Sequence, residues 1–112
     1  MSIEISATIC TYRRYTLLRR ALESLCVQAL APERYEILVV DNGIDEQTAA
    51  VVADCRESFA SVTIRLSSEP ALGLSQARNR ALSEARGRYL AFLDDDAWAP
   101  ESWLATALTV AG

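Results

Sequence analysis

The apolar residues of this chain switch repeatedly between two periods, and that alternation constrains the fold more than any other feature. Ile3 to Cys10 reads as a strand, with Ile5, Ala7 and Ile9 on one side. From Arg14 to Leu30 the spacing turns helical: Tyr15, Leu18, Leu22, Leu25 and Cys26 share one face, and Arg13, Thr16, Arg20 and Glu23 the other. Pro32 ends that pattern. Tyr35 to Val40 is apolar throughout except for Glu36, as expected of a strand covered on both faces. After the Asp41-Asn42-Gly43 turn, Asp45 is placed to cap a second helix whose inner side carries Thr48, Val51, Val52, Cys55 and Phe59. Val62 to Leu66 gives a third strand, and Ser67 to Pro70 a loop. Leu74, Ala77, Ala81 and Ala85 define the inner side of a third helix closed by Gly87. Tyr89 to Leu93 is a fourth buried strand, and Pro100 opens a last helix containing Trp103, Leu104 and Leu108. No repeat, low-complexity tract or linker interrupts the series.

Strict βαβ alternation with short loops predicts parallel strands joined by right-handed crossovers. The expected fold class is α/β: a Rossmann-like, three-layer α/β/α domain over residues 1–112, with a parallel sheet of strand order 3-2-1-4. Ligands of such sheets sit beyond the carboxyl ends of the strands, where the winding reverses. That crevice lies between strands one and four. Thr11, Tyr12, Arg13 and Arg14 follow the first, and Asp94, Asp95 and Asp96 follow the last. Asp41 ends the neighbouring strand two.

Composition removes several classes of function. Fifteen acidic residues against eleven basic ones give a net charge of −4, so no basic face for nucleic acid is expected. The apolar runs are far too short for a transmembrane segment, and no basic n-region with an apolar core opens the sequence, so secretion is not expected. Cys10, Cys26 and Cys55 have no metal-ligand spacing and read as reduced, buried residues, which leads to an expected cytoplasmic placement. There is no histidine, so Ser-His-Asp and Cys-His hydrolase schemes are excluded.

What remains is carboxylate chemistry. Three consecutive aspartates repel one another. If the strand pleat persisted, Asp94 and Asp96 would point the same way and suit a hard cation, Mn²⁺ or Mg²⁺, with open positions for substrate phosphates. The alternative is a solvated acidic turn before the last helix. Asp41 can accept a hydrogen bond from a ribose or base, or simply hold its own turn. Tyr12 can stack on a base or pack. Arg13, Arg14 and Arg78 can face a diphosphate or only solvent, and Trp98 and Trp103 can line a sugar pocket or join the core. No GxGxxG or P-loop motif is present.

Four blocks taken together resemble family 2 glycosyltransferases: Ile9-Cys10-Thr11-Tyr12-Arg13-Arg14, Val39-Val40-Asp41-Asn42-Gly43, Gly73-Leu74-Ser75-Gln76-Ala77-Arg78-Asn79 and Phe92-Leu93-Asp94-Asp95-Asp96. The resemblance runs from about Ile5 to Leu104, with the blocks in order. It implies the N-terminal half of a GT-A fold that binds a nucleotide-diphospho-sugar, by family habit a UDP-sugar. Thr11 and Tyr12 would sit against the base and Asp41 would bond it. Arg14 and Arg78 would lie near the nucleotide or its phosphates. Asp94 and Asp95 would approach ribose and sugar, and Asp96, the end of the DXD motif, would hold the metal. The implied reaction is inverting transfer of a sugar to an acceptor hydroxyl.

Ile44, Glu46 and Ala97 stand where the family commonly has Ser, Asp and Asp. The family's usual catalytic base lies downstream of the DXD block, so no catalytic residue is assigned, and a chain ending before the acceptor half is expected to be inactive alone. An exposed sheet edge beyond strand four also predicts a possible homo-oligomer. A non-catalytic nucleotide-binding or interaction module on the same fold is the alternative. A phosphoacceptor domain would need a downstream lysine, and this chain has none.

Overall fold

The computed structural model describes residues 2–111. Its elements are β1 (Ile5–Thr11), α1 (Tyr15–Cys26), a 3₁₀ turn (Pro32–Arg34), β2 (Tyr35–Asp41), α2 (Glu46–Ser58), β3 (Thr63–Ser68), α3 (Leu74–Glu84), β4 (Tyr89–Phe92) and α4 (Trp103–Ala111). The four strands form one parallel sheet in the order β3-β2-β1-β4, as the alternation predicts. Every side chain of β2 is buried, because neighbours flank the strand and helices cover both faces.

The pleat sorts the core into two layers. Ile5, Ala7 and Ile9 of β1 and Tyr35, Ile37 and Val39 of β2 pack against Leu18, Leu22 and Leu25 of α1, Val52 and Cys55 of α2, and Leu104 of α4. On the opposite face, Leu38 and Val40 meet Ala77 and Ala81 of α3, with Cys10, Ala85 and Phe92 alongside. Small alanines let α3 lie close to the sheet. Gly87 serves the same end, because a Cβ there would stand 2.5 Å from the backbone nitrogen of Ser6.

Several boundaries differ from the sequence pattern, each for a local reason. The first helix stops at Cys26 rather than reaching Leu30. Gln28 folds back to donate from Nε2 to the carbonyls of Ser24 (3.1 Å) and Pro100 (2.8 Å), and its Oε1 accepts the amide of Leu104. These bonds satisfy the helix end and pin the start of α4, which begins at Trp103 instead of Pro100. Asp45 does cap α2, accepting the amide of Gln47 at 2.8 Å. Leu74 is exposed, not inner, because the first turn of α3 overhangs the ends of the strands. β4 is shorter than expected and only half-buried, since β1 is its one neighbour in the sheet. Among the described residues, no helix is long and apolar enough to cross a membrane.

Candidate functional site

A cleft of about 510 Å³ opens at the carboxyl ends of β1 and β4, where the winding reverses. Its walls bring together Thr11, Tyr12, Arg14, Arg78, Asp94, Asp95 and Asp96 from three separate segments of chain. The parallel pairing of β1 with β4 explains the convergence: the ladder runs to Thr8–Phe92, and the amide of Leu93 donates to the carbonyl of Thr8 at 2.9 Å. The residues just beyond Phe92 therefore lie beside those just beyond Thr8, which brings Asp95 to Thr11.

The aspartates do not continue the pleat. The strand ends at Phe92, and the carbonyl of Asp94 accepts the amide of Ala97 at 3.0 Å, closing a turn. Asp95 is thereby turned inward and buried, while Asp94 and Asp96 stay exposed at the cleft. Asp95 Oδ2 accepts the Thr11 hydroxyl at 3.0 Å, and its Oδ1 lies 3.4 Å from Arg14 Nη1. The same nitrogen is 3.7 Å from Asp96 Oδ2. Tyr12 leaves its ring exposed at the mouth, with the guanidinium of Arg13 5.4 Å from the ring centroid. On the opposite wall Arg78 lies over the ring of Phe92, at 5.3 Å. Burial pushes the pKa of the Cys10 thiol, which lines the cleft, above its ordinary value.

Asp41 lies outside the cleft wall. It is 2% exposed, and its two oxygens accept the amides of Gly43 and Asp45, both at 2.8 Å. The carboxylate holds the turn whose Gly43 backs onto Tyr12 and Arg13. Trp98 is exposed and Trp103 packs on the core; neither lines the cleft.

Sequence reasoning missed Asn42. Its Nδ2 donates to the carbonyls of Glu69 (2.9 Å) and Ala71 (3.0 Å), and its Oδ1 accepts the amide of Gly73 (2.9 Å). One side chain thus fastens the loop between β3 and α3, and with it the wall formed by Leu72, Gly73 and Leu74. Gly73 has φ +141°, a backbone conformation open to glycine and strained for other residues. The only signal in the sequence was a polar residue directly after strand two, which the Asn-Gly turn already explained.

The donor set suits a hard divalent cation. It offers carboxylate oxygens without imidazole or thiolate partners, and the two exposed aspartates leave ligand positions open. Among the described residues no three acidic, cysteine or histidine side chains form a complete cage, so a cation held here must take further ligands from water or substrate.

Residues 6–111 match the model of Glycosyl transferase family 2. The chain belongs to that family. Its relatives include the glycosyltransferase AglE of Haloferax volcanii, 29% identical over 89% of this chain and 33% of that protein. The succinoglycan biosynthesis protein ExoM of Rhizobium meliloti is 33% identical over 98% of this chain and 35% of its own length. Among solved structures, S. aureus TarS in complex with UDP superposes with a TM-score of 0.83 at 26% identity, covering 96% of this chain and 31% of that one. The mannosyltransferase PcManGT of Pyrobaculum calidifontis, in complex with GDP-Man and Mn²⁺, gives a TM-score of 0.86 at 25% identity, covering 96% and 32%. The chain therefore spans about a third of the length of these relatives, and its fold is the N-terminal, Rossmann-like portion of GT-A.

Proposed function

We propose that residues 1–112 form the donor-binding part of an inverting glycosyltransferase, taking a nucleotide-diphospho-sugar together with Mn²⁺ or Mg²⁺. The observation that carries this reading is the convergence of Tyr12, Arg14, Arg78 and the Asp94–Asp96 turn on one cleft at the switch point of the sheet. An aromatic ring, two guanidinium groups and an acidic turn are complementary to a base, a diphosphate and a divalent cation, respectively. Neighbours of this fold bound to UDP, UDP-GlcNAc or GDP-Man with Mn²⁺ support the assignment.

In this reading the ring of Tyr12 stacks on the base beside Thr11, and Arg14 and Arg78 take the phosphates. Asp41 serves the base by shaping the turn behind Tyr12, since its own oxygens are committed to backbone amides. Asp94 and Asp95 face ribose and sugar, and Asp94 and Asp96 supply carboxylate oxygens to the cation. The cation, when bound, stabilises the negative charge that develops on the departing diphosphate. The chain's own part is to bind and orient the donor so that an acceptor hydroxyl can displace that group with inversion. No residue of this chain is assigned as the base, and this stretch alone is expected to bind donor without turnover. UDP is the expected nucleotide. The half-buried edge of β4 is where a second copy or further strands would pair.

Calorimetric titration with UDP, dTDP and GDP, each with and without Mn²⁺, tests the reading. Metal-dependent binding of one nucleotide, abolished in Asp96→Ala, is expected. A folded chain that binds none of them would reject it in favour of a non-catalytic module.

A further inference from the structure

We propose that Arg14 is the resident counter-cation of the Asp94–Asp96 turn, competing with a divalent cation for Asp96 until a diphosphate draws it away. The inference rests on the donor-site reading and adds an order of events to it. Arg14 Nη1 stands between two carboxylates, 3.4 Å from Asp95 Oδ1 and 3.7 Å from Asp96 Oδ2. Both separations are long for a charge-assisted hydrogen bond, and a single nitrogen serves both groups, so the guanidinium neutralises the turn without being locked to it.

The mobile partner can be identified. Asp95 is buried and its other oxygen is fixed by Thr11, whereas the Arg14 side chain is 53% exposed and Asp96 is 55% exposed. Among the described residues, Arg14 makes no side-chain bond beyond its long contacts to Asp95 and Asp96. It precedes α1 and provides no side-chain cap; only its backbone carbonyl is used, by the amide of Leu18. A dication approaching Asp96 alone would meet the positive charge of Arg14 a few ångströms away. A diphosphate changes that balance. It offers the guanidinium fork a doubly charged partner of matching geometry, and as Arg14 turns to it, Asp96 becomes free to join Asp94 on the metal. Nucleotide and metal then bind with positive coupling, and linkage requires the coupling to be the same in either order.

The test is binding of Mn²⁺ alone, followed by electron paramagnetic resonance of the free ion, in the parent chain, Arg14→Gln and Arg14→Lys. It is then repeated at saturating UDP. Removing one positive charge beside a dication in a largely hydrated site should tighten binding of bare Mn²⁺ by roughly tenfold. Arg14→Lys should stay near the parent. With UDP present the gain in Arg14→Gln should disappear, so the coupling between UDP and Mn²⁺ shrinks by the same factor. Circular dichroism confirms that each variant is folded. If Arg14→Gln binds bare Mn²⁺ no tighter than the parent, including the case where neither binds it, the proposal is overturned whatever UDP does. If Arg14→Gln gains bare-metal affinity but the parent binds no UDP, the competition stands and the donor-site reading fails.

Discussion

Two clusters of carboxylate and arginine lie at opposite ends of the same strands, and they differ in how completely their groups are satisfied. At the amino ends, Glu36 of β2 is wholly buried and its carboxylate accepts four hydrogen bonds. Arg65 forks onto it at 2.7 and 3.1 Å, the Ser6 hydroxyl donates at 2.6 Å, and the amide of Arg86 at 2.8 Å. Arg65 donates further to the carbonyl of Glu84, and Ser6 Oγ accepts the amide of Gly87. At the carboxyl ends, Arg14 reaches Asp95 and Asp96 only at long range, and Asp94 and Asp96 face the cleft. The same chemistry gives a structural joint where every lone pair is used and, at the proposed donor site, a surface where some remain free. Saturation, not residue type, separates the two roles.

That contrast can be broken by substitution, and the largest effect belongs to the closed cluster. Glu36→Ala leaves Arg65, Ser6 and the Arg86 amide without their partner, so a loss of about 3–5 kcal/mol in urea unfolding is expected. Nucleotide affinity of the folded fraction should be unchanged. An acid titration sharpens the point. Burial by itself would raise the Glu36 pKa, but the hydrogen bonds from Arg65, Ser6 and Arg86 and the charge of Arg65 outweigh it and hold the group below its ordinary value. Its folded pKa is depressed, so its stabilisation is present above the ordinary glutamate range and is lost as pH falls through the folded value. Glu36→Ala should flatten that acid limb of the stability profile.

A smaller effect is expected at the joint between fold and cleft. Asn42→Ala removes three hydrogen bonds to the loop before α3 and should cost about 2 kcal/mol, read as a lowered urea midpoint. Because that loop forms one wall of the cleft, nucleotide affinity should fall as well, unlike the outcome for Glu36→Ala. Asp96→Ala completes the series. Its carboxylate is exposed and only loosely paired, so stability should change by less than about 0.5 kcal/mol while Mn²⁺-dependent nucleotide binding is lost. A large loss of stability in Asp96→Ala would erase the distinction between the two clusters.

The alternation of apolar periods determined the element order and the parallel sheet, because a buried strand and an amphipathic helix each imprint a period on their side chains. The expected strand order 3-2-1-4 is one of the doubly wound orders that such alternation permits, and the strand pairing selects it. The same reading located the cleft, since topology alone places the residues after β1 and β4 side by side. Local chemistry was legible too where it acts over a few residues, as in the Asp45 cap.

What only the tertiary structure decided were the partners of polar side chains far apart in sequence. Whether Asp41 faces a ligand or its own turn depended on two nearby amides being free to donate. Which aspartate of the triplet turns inward depended on the strand ending at Phe92, so that a turn replaced the pleat, and on Thr11 standing ready to donate to Asp95. The roles of Asn42 and Gln28, each bridging to loops tens of residues away, left no periodic trace. A hydrogen-bonding side chain has several possible partners and no period, and only the folded chain selects among them.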